Sequence, residues 1–191
     1  MIRFCKIIFA ALFFCQIIFI SCKIKSQSVN KNIAPYTIEA DSALYHFKHH
    51  FNDRLPAPQN YVSDYENLFT PQQEDSLNHL INLFEKQTTN QIALVSFDTT
   101  MVTKQNFEEL TLQLANAWGI GVKHQNNGIL IGICAGYKII RIQNGRGVEK
   151  ILSNQATKNI IDSSFIPYFK EANYFSGTLN GVKAIIQKLN Q

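Results

Sequence analysis

No pair of cysteines is placed to staple this chain. Of its four cysteines, Cys5 and Cys15 fall in the N-terminal apolar stretch, Cys22 closes that stretch, and Cys134 lies inside the apolar run Ile129–Cys134. An exported domain with this set forms no intramolecular disulfide, so its core alone must hold the fold. Cys134 has no basic neighbour and reads as an inert core thiol rather than a nucleophile. Charge of one sign is also scarce. Without Arg3 and Lys6, which sit in the first 21 residues, 16 basic residues face 14 acidic ones, a net charge near +2. That balance is too small to argue for nucleic acid, and no nucleic-acid partner is expected. The chain has no Gly-Lys-Ser/Thr phosphate loop, no His-Glu-x-x-His, no Ser-His-Asp order and no Cys-His pair. No internal repeat is visible, and no catalytic residue is assigned.

The N-terminus supplies the first positive signal. Arg3 and Lys6 precede an uncharged apolar run, Ile7 to Ile20, closed by Ser21-Cys22. A basic start, an apolar stretch and a small residue before the cut are the parts of a secretion signal. A cysteine directly after the small residue makes Phe19-Ile20-Ser21-Cys22 similar to a bacterial lipobox, with Phe19 in place of the usual leucine. The run would form roughly 21 Å of helix at 1.5 Å per residue. A bilayer core needs about 30 Å, so a cleaved signal is favoured over an anchor helix. Residues 1–21 are expected to be removed and Cys22 lipidated, tying the protein to a membrane. Cys22-Lys-Ile-Lys carries no acidic residue after the cysteine, and the expected orientation faces the periplasm.

Residues 22–60 read as the lipidated cysteine and a flexible tether, polar and ending in Leu55-Pro56-Ala57-Pro58. A short helix is expected near Ile38–Phe51. His46, His49 and His50 would share its face at a spacing that can hold zinc, but a solvated face is the simpler reading. The domain proper spans 61–191. Thr70-Pro71-Gln72-Gln73 predicts a capped helix start, followed by Leu77, Leu80, Ile81 and Phe84 at helical spacing. Gln91–Phe97 predicts a buried strand. Thr103 is expected to cap a helix over Gln105–Trp118 that Gly119 stops. Ile129–Cys134 and Lys138–Gln143 predict an antiparallel hairpin, and helices are expected over Asn154–Phe165 and Ser176–Leu189. The order β–α–β–β–α–α predicts an α/β fold, a mixed β-sheet sandwiched by α-helices.

Several of these segments resemble, in order, the signature of the TPM domain family. They are Val62-Ser63-Asp64-Tyr65, Trp118-Gly119-Ile120-Gly121, Asn127-Gly128-Ile129-Leu130-Ile131 and Arg141-Ile142-Gln143-Asn144-Gly145-Arg146-Gly147-Val148-Glu149. Ile166-Pro167-Tyr168-Phe169-Lys170 and Tyr174-Phe175-Ser176-Gly177 extend the likeness, which covers roughly Tyr61 to Leu189. The resemblance implies an α/β sandwich in extracytoplasmic space. It also implies loops at one end of the sheet that hold calcium or another divalent cation. Acid phosphatase activity is attributed to plant members, and assembly, repair or binding roles to others.

Carried over by that resemblance, the metal positions are Asp64, Asn126, Asn127, Glu149 and Asn154. Asn126 and Asn154 stand where many members have aspartate, and calcium affinity falls as carboxylates are lost, so only weak binding is expected. Without a metal, Asp64 reads as a loop acid and Glu149 as an acid at a helix N-terminus. Arg141 and Arg146 flank a Gly-x-Gly loop and form a candidate phosphate clamp, although Arg141 can equally pair with a carboxylate. With a metal, that clamp would suit phosphomonoester hydrolysis. Loss of acidic ligands favours the other expectation, a non-catalytic binding or assembly module at the cell envelope, held to the membrane through Cys22 and meeting an envelope protein.

Overall fold

The computed structural model describes residues 55–191. The signal, Cys22, the three clustered histidines and the helix expected near Ile38–Phe51 lie outside the described residues. Among the described residues, no helix is long and apolar enough to cross a membrane.

The local signals of the first helix act as expected. Helix α1 runs Pro71–Thr88. The Thr70 hydroxyl accepts from the Gln73 amide at 3.3 Å, and the Thr70 amide donates to Gln73 Oε1 at 2.9 Å. Two amide donors that the helix start would leave unpaired are thereby satisfied. Thr70→Ala is expected to lower stability by about 1 kcal/mol in urea unfolding. Thr89 ends the helix in the left-handed region at φ 63°.

Strand β2 (Gln91–Ser96) is buried on both faces from Ile92 onward. Helix α2 spans Phe107–Ala117, starting later than the expected Gln105. The reason is local. Thr103 N donates to Asn106 Oδ1 at 2.8 Å and Asn106 N to Thr103 Oγ1 at 3.2 Å, closing a separate turn before the helix. Strands β3 (Gly128–Cys134) and β4 (Ile139–Asn144) form the hairpin, with Lys138 in the left-handed region of its turn. Helix α3 (Asn154–Ile160) passes through a π-helical turn, Ile161–Phe165, into the short α4 (Ile166–Phe169). Helix α5 (Tyr174–Leu189) closes the chain.

One strand is not foreseen. Val62–Asp64, to which the sequence reading assigns no strand, is strand β1, parallel to β2 with Asp64 opposite Ser96. Three residues are too few to show an alternation pattern, so pairing makes the strand. The sheet order is β1-β2-β3-β4, with β1, β2 and β3 parallel and β4 antiparallel to β3.

Alternate residues of the sheet feed two cores. Ile92, Leu94, Ile129, Ile131 and Ile133 pack with Leu77, Ile81 and Phe84 of α1, Phe165, and Val182 and Ile185 of α5. Ala93, Val95, Leu130 and Cys134 pack with Phe107, Leu110 and Leu114 of α2. The helices therefore sandwich the sheet. Because β1, β2 and β3 lie side by side in sequence order, α1 and α2 on opposite faces require crossovers of opposite hand. One of the two departs from the usual right-handed rule.

Candidate functional site

The topology sorts the polar loops into two ends. At the carboxyl ends of the parallel strands, where open α/β sheets usually bind ligands, Asp64 ends β1 and Ser96 ends β2. Asp64 Oδ1 accepts from the Ser96 hydroxyl and Oδ2 from the Phe69 amide at 2.8 Å. Ser96, fully buried, also accepts from the Glu66 amide at 2.9 Å. Glu66 reaches across to the hairpin turn, accepting from the amides of Ala135 and Gly136 at 2.8 Å each. Asp98 binds the hydroxyl and amide of Thr100, and these bonds hold its carboxyl below the usual range. Burial, with Asp64 and Asp75 nearby, raises Glu74. Burial likewise pushes the Cys134 thiol up, in keeping with an inert core cysteine. Glu66 and Ser96 escape the sequence reading. Their one available signal is that Glu66 follows Asp64 by two residues and Ser96 closes an apolar run.

The other carried-over residues sit elsewhere. Asn126 and Asn127 precede β3, and Gly128 lies opposite Gln91 at the start of β2. Asp64 lies opposite Ser96 at the end of β2. Five residue steps of strand, about 16 Å at 3.3 Å per step, separate the two ends. Ligand atoms stand about 2.4 Å from a bound calcium, so Asp64 cannot share an ion with Asn126 or Asn127. The set Asp64, Asn126, Asn127, Glu149 and Asn154 does not form one site. Among the described residues, no group of three or more His, Cys, Asp or Glu side chains is gathered to hold a metal.

Asn127 is already engaged. Its Oδ1 accepts from the Val122 amide at 2.7 Å, and its Nδ2 donates to the Thr89 carbonyl at 2.8 Å and to Gln125 Oε1 at 2.9 Å. It is 5% exposed and ties the loop before β3 to the end of α1. Asn126 is exposed in the left-handed region at φ 49°. Asn154 is the first residue of α3, whose cap is Ser153. Glu149 is exposed in a turn, short of the helix start where its acid would face the helix dipole.

The phosphate clamp is also not assembled. Arg141 pairs with Glu108 of α2, and Arg146 points from an exposed turn. The glycines beside Arg146 serve the chain itself. A Cβ on Gly145 would stand 2.2 Å from the Asn126 carbonyl oxygen, and one on Gly147 would stand 1.9 Å from that of Gln125. Their amides donate to the carbonyls of Gly128 and Asn126 at 2.8 and 2.9 Å. The space expected for a phosphate is filled by backbone carbonyls, and carbonyl oxygens repel an anion.

Comparison with known proteins agrees with this architecture. No curated protein matches the chain. The N-terminal domain of a protein from P. gingivalis, solved by NMR, is 29% identical with a TM-score of 0.63, over 69% of this chain and 82% of that one. An NMR structure from the psychrophilic bacterium Bizionia argentinensis is 20% identical, with a TM-score of 0.55, over 65% and 83%. An N-terminal domain from Corynebacterium glutamicum, 13% identical with a TM-score of 0.52 over 71% and 83%, shares the fold. The TPM domain model matches residues 62–188, from β1 to the last turn of α5, and on that span the chain belongs to the TPM domain family.

Proposed function

We propose that this TPM domain is a non-catalytic binding or assembly module, moored to the envelope membrane through lipidated Cys22 and facing the periplasm, where it meets an envelope protein. One observation carries the reading. Several of the groups a metal-dependent phosphatase would use are spent on partners within the chain: Arg141 on Glu108, Asn127 on the α1 end, and the Gly145 and Gly147 amides on carbonyls. The mooring rests on the lipobox-like Phe19-Ile20-Ser21-Cys22 and the polar tether behind it.

Two measurements on the full chain test the proposal. Palmitate labelling is expected to vanish in Cys22→Ala, and labelling that persists would end the lipid anchor. Pull-down of the lipidated protein from detergent-solubilised envelopes is expected to return the same partner repeatedly. Metal-dependent hydrolysis of a phosphomonoester, lost in Glu149→Gln or Arg146→Ala, would overturn the non-catalytic reading in favour of the phosphatase.

A further inference from the structure

At the amino end of β2 an open groove of about 340 Å³ lies between α1 and the turn that follows α2. That volume sits at the lower end of the range for small-ligand sites, roughly 300–1,000 Å³. Tyr61, Trp118 and Ile92 are among the residues that line the groove. Among the described residues that line it, Glu85 is the one formal charge, with no Lys, Arg or His.

The polar side chains here are held in place. Glu85 Oε1 accepts from Gln91 Nε2 at 2.8 Å, and Gln91 Oε1 in turn accepts from the Gly121 amide. The Tyr61 hydroxyl accepts from Asn82 Nδ2 at 3.0 Å, and the neighbouring Glu85 carboxylate raises its pKa. Trp118 Nε1 donates to the Pro56 carbonyl at 2.8 Å, fixing the indole. Among the described residues the side-chain donor that meets Glu85 is the neutral Gln91 amide, and no cation lines the groove. A carboxylate flanked by two aromatic rings is complementary to a cation with an apolar stem.

The sheet edge adds a second element. Strand β1 begins opposite Leu94, whose amide donates to the Tyr61 carbonyl at 2.8 Å. Ile92, two residues earlier and in the groove, faces the same side with no β1 residue paired to it. That stretch of edge can receive the backbone of an extended chain.

We propose that this groove binds a protonated primary amine on a short apolar stem, the chemistry of a lysine side chain, with Glu85 as counter-charge and Tyr61 and Trp118 as its walls. This proposal does not rest on the mooring or on the envelope partner, so failure of the pull-down leaves it standing, and its own failure leaves that reading standing.

Trp118 is the chain's one tryptophan, so its emission reports on the groove without a label. Titrating the protein with n-butylamine and with a blocked lysine tripeptide is expected to change that emission saturably. The matching norleucine tripeptide is expected to do nothing. Glu85→Gln keeps an acceptor for Gln91 and is expected to weaken amine binding about tenfold, the loss of one charge-assisted contact. Glu171→Gln, on an exposed turn elsewhere, is expected to bind as the natural protein does. A tripeptide that binds at least tenfold tighter than butylamine identifies a polypeptide source that uses the Ile92 edge, and equal affinities identify a free amine. No saturable change with either amine, an equal response to norleucine, or undiminished binding by Glu85→Gln overturns the proposal. Amide NMR of the natural protein gives an independent readout: amine-induced shifts are expected at Tyr61, Glu85, Gln91 and Gly119, and shifts located elsewhere would refute the site.

Discussion

Replacing Phe165 with alanine is expected to lower the unfolding free energy by about 3–5 kcal/mol, read as a fall in the urea midpoint at unchanged slope. Phe165 is fully buried at the end of the π-helical turn. Its ring meets Phe169 edge-on, with centroids 5.8 Å apart and planes at 75°. It also fills a hollow that α5 leaves for it, because a Cβ on Gly181 would stand 2.0 Å from the ring. Gly177 leaves similar room for Phe169, 2.6 Å from where its own Cβ would be. The extra residue of the π turn aims the ring into this hollow. Gly181→Ala then sets two effects against each other. Helix propensity favours alanine by about 1 kcal/mol. Overpacking against a buried ring opposes it by about 1–3 kcal/mol, and net destabilisation is expected. The double variant Phe165→Leu with Gly181→Ala is expected to be less destabilised than the sum of the single changes, since the smaller side chain makes room for the methyl. A stabilised Gly181→Ala would refute this account of the α5 contact.

What could be read from the sequence divides along the same line between local and distant causes. The capped start of α1 is legible because Thr70, Pro71 and Gln73 act on their own backbone. The hairpin β3–β4 is legible because both strands and their turn are contiguous. Strand β1 is not, since Val62–Asp64 owes its conformation to β2, about thirty residues away. Missing β1 also hides where the family-derived residues go. Once Asp64 is known to end a strand parallel to β3, and Asn127 to precede β3, opposite ends of the sheet follow from strand direction alone. The glycines of Gly145-Arg146-Gly147 show a similar limit. Their spacing correctly signals a close approach, but the approaching group is the chain's own carbonyls, supplied by a loop some twenty residues earlier. The groove at Glu85 has no sequence signature, because Tyr61, Glu85, Gln91 and Trp118 meet only when α1, β2 and the turn after α2 are in place.

Asn127 offers a test in which two readings of one residue predict opposite signs. Asn127→Asp is expected to destabilise the protein by about 2–3 kcal/mol, since the amide nitrogen that donates to the Thr89 carbonyl and Gln125 Oε1 becomes a carboxylate oxygen facing acceptors in a buried site. The Val122 amide keeps its acceptor, so the loss reports on the two donated bonds. A staple of this kind works without an ion. The destabilisation is therefore expected to be the same in EDTA and in millimolar calcium, measured by urea unfolding in both. A metal ligand behaves otherwise. Replacing a carbonyl donor with a carboxylate strengthens calcium binding, and a tighter ion stabilises the folded state by mass action. Under that reading Asn127→Asp would lose stability in EDTA and regain it, or exceed the natural protein, in calcium. A calcium-dependent rescue of this variant would restore Asn127 to an ion site. Its absence would leave the residue as the bolt between α1 and the loop that leads into β3.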